Sequence, residues 1–414
     1  MKTLLFTVTA ALLSAFTGNT FASTWTNFTT ENSPLPAEHV TAICHIENGT
    51  WIGTDGGLAF YDGTNWNIYN TKSSDLPNNY VYDIEQDDAG NIWVATAEGL
   101  LQITDNNWNV FNTSNSSIPI DLIRSVTIDP DGNPWIGTWG GGIASLINGQ
   151  WTTYNTTNSG LNSNGVFTVE SDSFGKIWIG SFNGGVSIFN GQDWVNENTS
   201  NSELPNNHVR SITFDNNGVV WLGTDAGLAR KTADGIWDIY TFSNTGHSFN
   251  TVLDGVMESP GKLHFATDGG ILQFDHGTFN IIKFQNSDLS SNNTRCIALG
   301  RDSGLWVGTG FAGLNIYDIQ NSVGITESSA NLTTLAIYPN PVTQEVIFSL
   351  GDQKPNGPVN IQVVNMIGQT LISKTVSNLS IHQQRLNVSQ LPSGTYQLIV
   401  RFEDGISSRK FILM

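Results

Sequence analysis

The chain has 414 residues, a net charge of −19, only 13% charged residues, 10% aromatics and 13 tryptophans. That length allows two or three domains, and the aromatic content belongs to a globular chain and not to a disordered one. The acidic balance argues against a nucleic-acid partner, whose phosphates need a basic footprint, and against docking on an anionic membrane surface.

Residues 1–22 read as a signal peptide. Lys2 supplies the positive start, LLFTVTAALLSAF (4–16) the apolar core, and Thr20-Phe21-Ala22 the small residues of a cleavage site before Ser23. The apolar run is too short to cross a bilayer as a helix. No Cys follows it, so no lipid anchor is expected at the new N-terminus, and no later segment reads as transmembrane. The expectation is an exported protein.

From residue 23 to 320 the chain repeats. WIGT at Trp51 returns as WVAT at Trp93, WIGT at Trp135, WIGS at Trp178, WLGT at Trp221, HFAT at His264 and WVGT at Trp306, at intervals of 42 or 43 residues. A second aromatic marks each unit at Trp25, Trp66, Trp108, Trp151, Trp194 and Trp237, with Asn280 in the remaining slot. A fixed period in this range means a solenoid, an array or a propeller. Within one unit, VYDIEQD alternates as a strand, Asp88-Ala89-Gly90-Asn91 is a turn, and IWVAT, GLLQIT and WNVFNT are three more strands. Four short strands joined by Gly and Asn turns make a propeller blade, and helical periodicity is missing from the unit. The D-x-x-G-x-x-W spacing from Asp87, Asp129, Asp172 and Asp215 fits a tight hairpin whose Gly takes a positive φ. WTNFTT (25–30) matches a fourth strand, while the seventh unit stops at its third strand, Gly313 to Asp318. The N-terminal strand is therefore expected to complete the last blade and close a seven-bladed ring. Cys44 and Cys296 lie in the first and last units; export permits a disulfide, but their equal strand parity turns one thiol away, and their redox state stays open.

The units LPNNYV (76–81), LPNNHV (204–209), WIGTDGGLAFYD (51–62) and WLGTDAGLAR (221–230) resemble the two-component regulator propeller repeats. The resemblance implies the seven-bladed fold. It also implies the extracytoplasmic sensor halves of membrane kinases that respond to glycans, a role not expected here because neither a membrane helix nor a kinase follows the propeller.

Residues 321–332 read as a polar linker. The chain from 333 to 414 then changes pattern: EVIFSL, VNIQVVN and TLISKTV are strand-like, Gly368 sits in a turn, and the whole suggests a small β-sandwich. Tyr338-Pro339-Asn340-Pro341, the L-x-x-G-x-Y of Leu391, Gly394 and Tyr396, and the basic strand Arg409-Lys410-Phe411 resemble a type IX secretion C-terminal sorting domain. That resemblance implies export across the outer membrane, the secretion machinery as a partner, and a tail that is cleaved to leave a released or surface-attached protein. A β-sandwich adhesion or binding module is the plain alternative. The fold class is thus all-β, a seven-bladed β-propeller followed by a small C-terminal β-sandwich domain.

The repeated Trp residues are most simply packing between blades, His264 is a degenerate copy of that position, and the Gly pairs are backbone devices with no helix behind them to cradle a phosphate. Function is expected where the units differ, on loops of a rigid frame. Turn tips between the second and third strands carry Trp139, Phe182 and Phe311, aromatics that a turn does not need and that suit a sugar ring or an apolar side chain. One residue into the inner strand the units read Thr41, Tyr82, Arg124, Phe167, Arg210, Leu253 and Arg295. The three arginines suit a carboxylate or sulfate at the channel mouth, or ion pairs with Asp55, Asp225 and Asp268 in the adjacent turns. No catalytic residue, cofactor or metal is expected: Asp129-Pro130-Asp131-Gly132 starts like a calcium loop but lacks the later ligands, and neither a H-E-x-x-H nor a G-x-S-x-G pattern occurs. The leading reading is a non-catalytic module that binds a glycan or a peptide on its loop face. An extracellular polysaccharide lyase or hydrolase and a purely adhesive scaffold are the alternatives.

Overall fold

The four residues of W-I-G-T each have a separate physical task. In the computed structural model, which describes residues 25–105, 107–215, 218–301, 304–319, 335–338, 342–350, 359–365, 370–376, 384–402 and 405–414, this stretch is the second strand of a four-stranded antiparallel sheet. The Trp packs against the next unit: Trp51 with Val81 and Ile92, Trp135 with Val166 and Ile177, Trp221 with Val252 and Phe265. The apolar residue after it is fully buried, as at Ile52, Ile136, Ile179 and Leu222. The Gly lets the next inner strand approach, since a Cβ on Gly53 or Gly137 would meet the Val81 or Val166 side chain at 2.6 Å. The Thr turns its hydroxyl into the following loop, where Thr54 Oγ1 donates to the Gly57 carbonyl at 2.8 Å and accepts from the Gly56 N–H at 3.1 Å.

Among the described residues seven such sheets form the propeller. The first six span residues 40–69, 81–111, 123–154, 166–197, 209–240 and 252–282, and the seventh combines Thr294–Leu299, Gly304–Thr309 and Leu314–Asp318 with Trp25–Phe28. Trp25 pairs with Tyr317 and Phe28 with Leu314, so the N-terminal strand closes the ring. Second strands are buried along nearly their whole length and outermost strands are half exposed. Buried clusters lie between successive blades, as expected when each sheet hides both faces against its neighbours.

The Asp-to-Trp spacing has a direct cause. Asp129 accepts the Asn133 and Asp131 N–H groups within its own turn, and its second oxygen accepts the Trp135 indole N–H at 3.0 Å. Asp87 does the same for Trp93 and Asp172 for Trp178, with the intervening Gly90, Gly132 and Gly175 at φ 87, 83 and 78°. In blade six His264 keeps the link in another form: its Nε2 lies 2.6 Å from Glu258, which stands where blades two to five have Asp. The second-aromatic slot of that blade needs a correction. Phe279, not Asn280, faces Phe274 as Trp194 faces Phe189, because the preceding turn is one residue shorter than in blade five.

The two cysteines are free. Cys296 is buried between blades seven and one, whereas Cys44 packs between blades one and two, so strand direction keeps the thiols in different cores.

The chain divides into two compact units, residues 1–321 and 322–414. In the second, Glu345–Leu350 pairs with Leu335–Tyr338 and Gln384–Asn387, and the other sheet runs Thr370–Val376, Val359–Asn365, Gly394–Phe402, Gly405–Leu413. Val346, Phe348 and Leu386 of one sheet meet Ile361, Tyr396, Leu398 and Phe411 of the other in a single core, which makes a sandwich. Leu391 packs against this core, and the Tyr396 hydroxyl donates to the Pro392 carbonyl at 2.6 Å, which accounts for the L-x-x-G-x-Y spacing. The signal peptide, the 321–332 linker, Pro339-Asn340-Pro341 and Gly368 lie outside the described residues.

Candidate functional site at the channel mouth

In every blade the inner strand carries a register shift at the same place. The ladder skips Thr41, Tyr82, Arg124, Phe167, Arg210, Leu253 and Arg295. A bulge adds one unpaired residue and re-aims its side chain. Without it, strand alternation would send neighbouring residues to opposite faces. With it, both the bulged residue and the next one line an axial cavity of about 240 Å³. The upper tier holds the seven bulged residues, and the lower tier holds Ala42, Asp83, Ser125, Thr168, Ser211, Asp254 and Cys296.

The lower tier ties blades together. Asp83 accepts the Val126 N–H at 2.9 Å and the Ser125 hydroxyl at 3.0 Å, Ser125 Oγ accepts the Val169 N–H, and Asp254 accepts the Ile297 N–H at 2.8 Å. Burial raises the Asp83 carboxyl, and it carries Asp254 to about 7 against the pull of its backbone donors. Glu85 reaches about 8 through burial and the nearby Asp83, and Glu170 is raised well above the usual range for the same reasons. The floor of the cavity therefore favours protonated carboxyls.

The upper tier is different. The Arg210 guanidinium pairs with Asp225, which also lies 2.8 Å from His208 Nδ1. Burial raises the Asp225 carboxyl, but the hydrogen bonds from Arg210 and His208 outweigh it and hold it below the ordinary value. His208 continues to Asn183 Oδ1 at 2.6 Å and stacks on Phe182 at 4.5 Å. Arg124 lies over the Tyr82 ring at 4.2 Å and 5.7 Å from the Trp139 ring, and among the described residues it forms no ion pair with a carboxylate. Among the described residues Arg295 likewise forms no ion pair with a carboxylate, and the Nε atoms of both Arg124 and Arg295 are buried without a hydrogen-bond partner.

The turns between second and third strands sit over this mouth because each is tied down within its blade. Asp55, Ala97, Trp139, Phe182, Asp225, Asp268 and Gly310 donate their N–H groups to the carbonyls of His39, Tyr80, Leu122, Gly165, His208, Thr251 and Asn293. Trp139 is also bridged to Gly165 of the next blade. Trp139 and Phe182 thereby come together at 5.5 Å, with Phe167 5.2 Å from Trp139, and each turn-tip ring stays 39% exposed. Phe311 is 75% exposed, and none of these rings is near it.

The predicted residues thus separate. Trp139, Phe182, Arg124, Arg210 and Asp225 form one connected cluster. Arg295 faces the same cavity from blade seven. Asp55 lies 3.4 Å from His39 and no arginine. Asp268 accepts the Asn250 and Thr251 N–H groups. Of the three expected arginine ion pairs, only Arg210–Asp225 forms, because blade five alone has both an Arg at its bulge and an Asp in its turn. Tyr80, Tyr82, His39 and His208 belong to the site as well. The signal for the histidines was the residue just before the inner strand, His39-Val40 and His208-Val209, facing the turn aspartate. A larger groove of about 820 Å³ between blades four and five, against Phe174 and Val195, involves none of the predicted residues. Among the described residues no group of three or more His, Cys, Asp or Glu is arranged to hold a metal ion, and no helix is long and apolar enough to cross a membrane.

Two family models match the chain. Residues 336–414 match the secretion system C-terminal sorting domain, and residues 75–98 and 203–226 match the two component regulator propeller. No curated protein matches. Among solved structures, the chain is similar to PorZ, a surface component of the type-IX secretion system of Porphyromonas gingivalis, at 17% identity and a TM-score of 0.58, covering 91% of this chain and 60% of that one. It is similar to the extracellular domain described as that of a hybrid two component system from B. thetaiotaomicron, at 19% identity and a TM-score of 0.62, covering 94% and 57%. It is also similar to virginiamycin B lyase from Staphylococcus aureus, at 13% identity and a TM-score of 0.57, covering 70% and 98%. The chain spans about 60% of the length of the first two. At these identities the likeness concerns the fold.

Proposed function

Because the chain carries a secretion system C-terminal sorting domain behind a two component regulator propeller, and so is a secreted or cell-surface protein, we propose that its propeller is a binding module that recognises a glycan on the channel-mouth face. The observation that carries this reading is the aromatic shelf of Trp139 and Phe182. Two rings at adjacent turn tips are held 5.5 Å apart and left open to solvent. Rings of this kind stack on the apolar faces of sugars, and the frame beneath holds them without help from a ligand. Recognition proceeds without turnover, and the sorting domain engages the secretion machinery. The test is a thermal-shift and calorimetric screen of the full chain against glycan fragments and short peptides, with Trp139→Ala beside it. A ligand at about 100 times its Kd adds roughly 2.7 kcal/mol to the folded state. The reading requires that shift for a glycan and its loss in the variant. A shift that survives in Trp139→Ala removes the shelf from the binding site.

A second reading rests on the His208–Asp225 pair beside the shelf. A carboxylate that orients an imidazole is a general acid–base arrangement. A polysaccharide lyase or hydrolase would then release product ends from a polymer, and His208→Ala would stop the release. A purely adhesive scaffold would show neither turnover nor dependence on Trp139.

A further inference from the structure

Resting on the glycan reading above, we propose that the ligand bears an oxyanion, the carboxylate or sulfate of an acidic sugar, and that Arg124 and Arg295 form its subsite at the channel mouth.

The argument starts from a mismatch. The chain has 36 acidic residues against 17 basic ones, yet two of its few arginines line a cavity with no carboxylate paired to either. Arg210, from the same tier, shows what a satisfied arginine looks like here, with Asp225 supplied by its own blade. The buried Nε–H of each guanidinium has given up water without gaining a hydrogen-bond partner, a cost that an incoming oxyanion removes. Both guanidiniums line the same cavity as Tyr80; burial raises the Tyr80 phenol, Tyr82 and Asp55 add to that shift, and Arg124 and Arg295 pull against it. The Tyr80 ring lies 4.4 Å from that of Tyr82, on which Arg124 rests. The tier below, lined by Asp83, Glu170 and Asp254, offers an anion no cation. An oxyanion is thus held at the mouth and kept from descending the channel.

The same surroundings favour a sugar over a peptide terminus. Peptide carboxylates are captured by clusters of free backbone N–H groups, and extended peptides by open strand edges. Here the first N–H of every turn at the mouth is already bonded to a carbonyl of its own blade, which leaves side chains to do the recognition. A pyranose stacked on Trp139 carries its carboxylate or sulfate one or two bonds off the ring. That places it toward a guanidinium centred 5.7 Å from the indole.

The experiment uses the full chain and three probes: a trigalacturonate, its methyl ester, and a sulfated galactose oligomer of similar size. Titration calorimetry is run at two salt concentrations. The expected result is that one acidic probe binds roughly tenfold or more tighter than the neutral ester, with the difference shrinking as salt rises. Whichever acidic probe wins identifies carboxylate or sulfate as the source. Arg124→Gln and Arg295→Gln should each abolish the preference while ester binding persists, and Arg295→Lys, which keeps the charge but loses the fork, should retain part of it. Thermal melts of each variant separate misfolding from lost recognition. Equal binding of acid and ester, or a preference untouched by the Arg variants, overturns the subsite while Trp139→Ala still reports on the shelf. Binding only of peptides with a free C-terminus in the thermal-shift screen above overturns it in favour of a peptide ligand. Failure of every oligosaccharide to bind overturns both the subsite and the glycan reading.

Discussion

The aromatic position of the second strand and the bulge of the inner strand lie 10 or 11 residues apart in each blade, and they vary in opposite ways. At the second-strand position six blades have Trp and one has His, and each side chain is buried between blades. At the inner-strand bulge the seven blades have Thr, Tyr, Arg, Phe, Arg, Leu and Arg, and all seven side chains reach one cavity. The first position faces the same wall seven times, so one solution serves throughout. The second faces a common centre, where seven copies of one residue would collide or repel. Repetition therefore marks the scaffold and variation marks the site, and the variants below probe each side of that contrast.

The largest effect belongs to the wall. Trp221 is 1% exposed and packs with Val252, Phe265 and Phe274. Trp221→Ala should cost about 3–5 kcal/mol, measured by urea unfolding. A loss below about 1 kcal/mol would mean that the blades do not depend on this interlock. Next comes the turn that holds the indole. Asp129→Ala orphans the Trp135 N–H and two backbone donors and should cost about 1–3 kcal/mol.

Much of the wall was readable in the sequence, because a period of 42 or 43 residues and a fixed Asp-to-Trp spacing are local patterns. The closing strand was readable for the same reason. The bulge was not. Strand alternation predicts that Arg124 and Ser125 face opposite ways, and only the skipped register turns both to the axis. Counting by period also places the second aromatic of blade six at Asn280, because a one-residue shortening of a turn does not show until strands are paired. The repeat register makes the three arginines equivalent, although each turn stands over its own blade. Asking which blades hold both an Arg and an Asp would have singled out Arg210–Asp225. Asp83 and Asp254 were missed as channel residues because nothing in a single strand marks a carboxylate that bonds to the next blade.

Those carboxyls make the third prediction, smaller than the packing effects. Asp254 is raised to about 7 and Glu85 to about 8. A carboxyl whose folded pKa is raised binds its proton more tightly in the folded state, so its stabilising effect is complete below the unfolded value near 4 and fades as pH climbs through 7 to 8. The propeller should melt higher at pH 5 than at pH 8, by about several °C. Asp254→Asn mimics the protonated form and should flatten that slope, mainly by raising the melting temperature at pH 8. Groups held below their ordinary values, Asp225 and Glu258, act in the opposite sense and only in more acidic solution. A profile that rises from pH 5 to pH 8 would show that the channel carboxyls are ionised and solvated.

The smallest effects on stability belong to the exposed rings, and there the contrast is sharpest within one residue class. Trp139 and Phe311 occupy adjacent positions of the corresponding turn in blades three and seven, Trp139 first and Phe311 second. Trp139 touches Phe167, Phe182 and Arg124, whereas Phe311 is mostly in solvent. Phe311→Ala should change folding stability by no more than about 0.5 kcal/mol, the range of an ordinary surface substitution. Trp139→Ala should cost somewhat more, about 1 kcal/mol, since aromatic and cation–π contacts are lost with it. Ligand binding should separate them far more widely: roughly a tenfold or greater loss for Trp139→Ala, the scale of an aromatic binding hot spot, against little change for Phe311→Ala. Equal losses from the two would mean that the ligand spans the whole mouth, from blade three to blade seven, and that the shelf is one edge of a larger footprint.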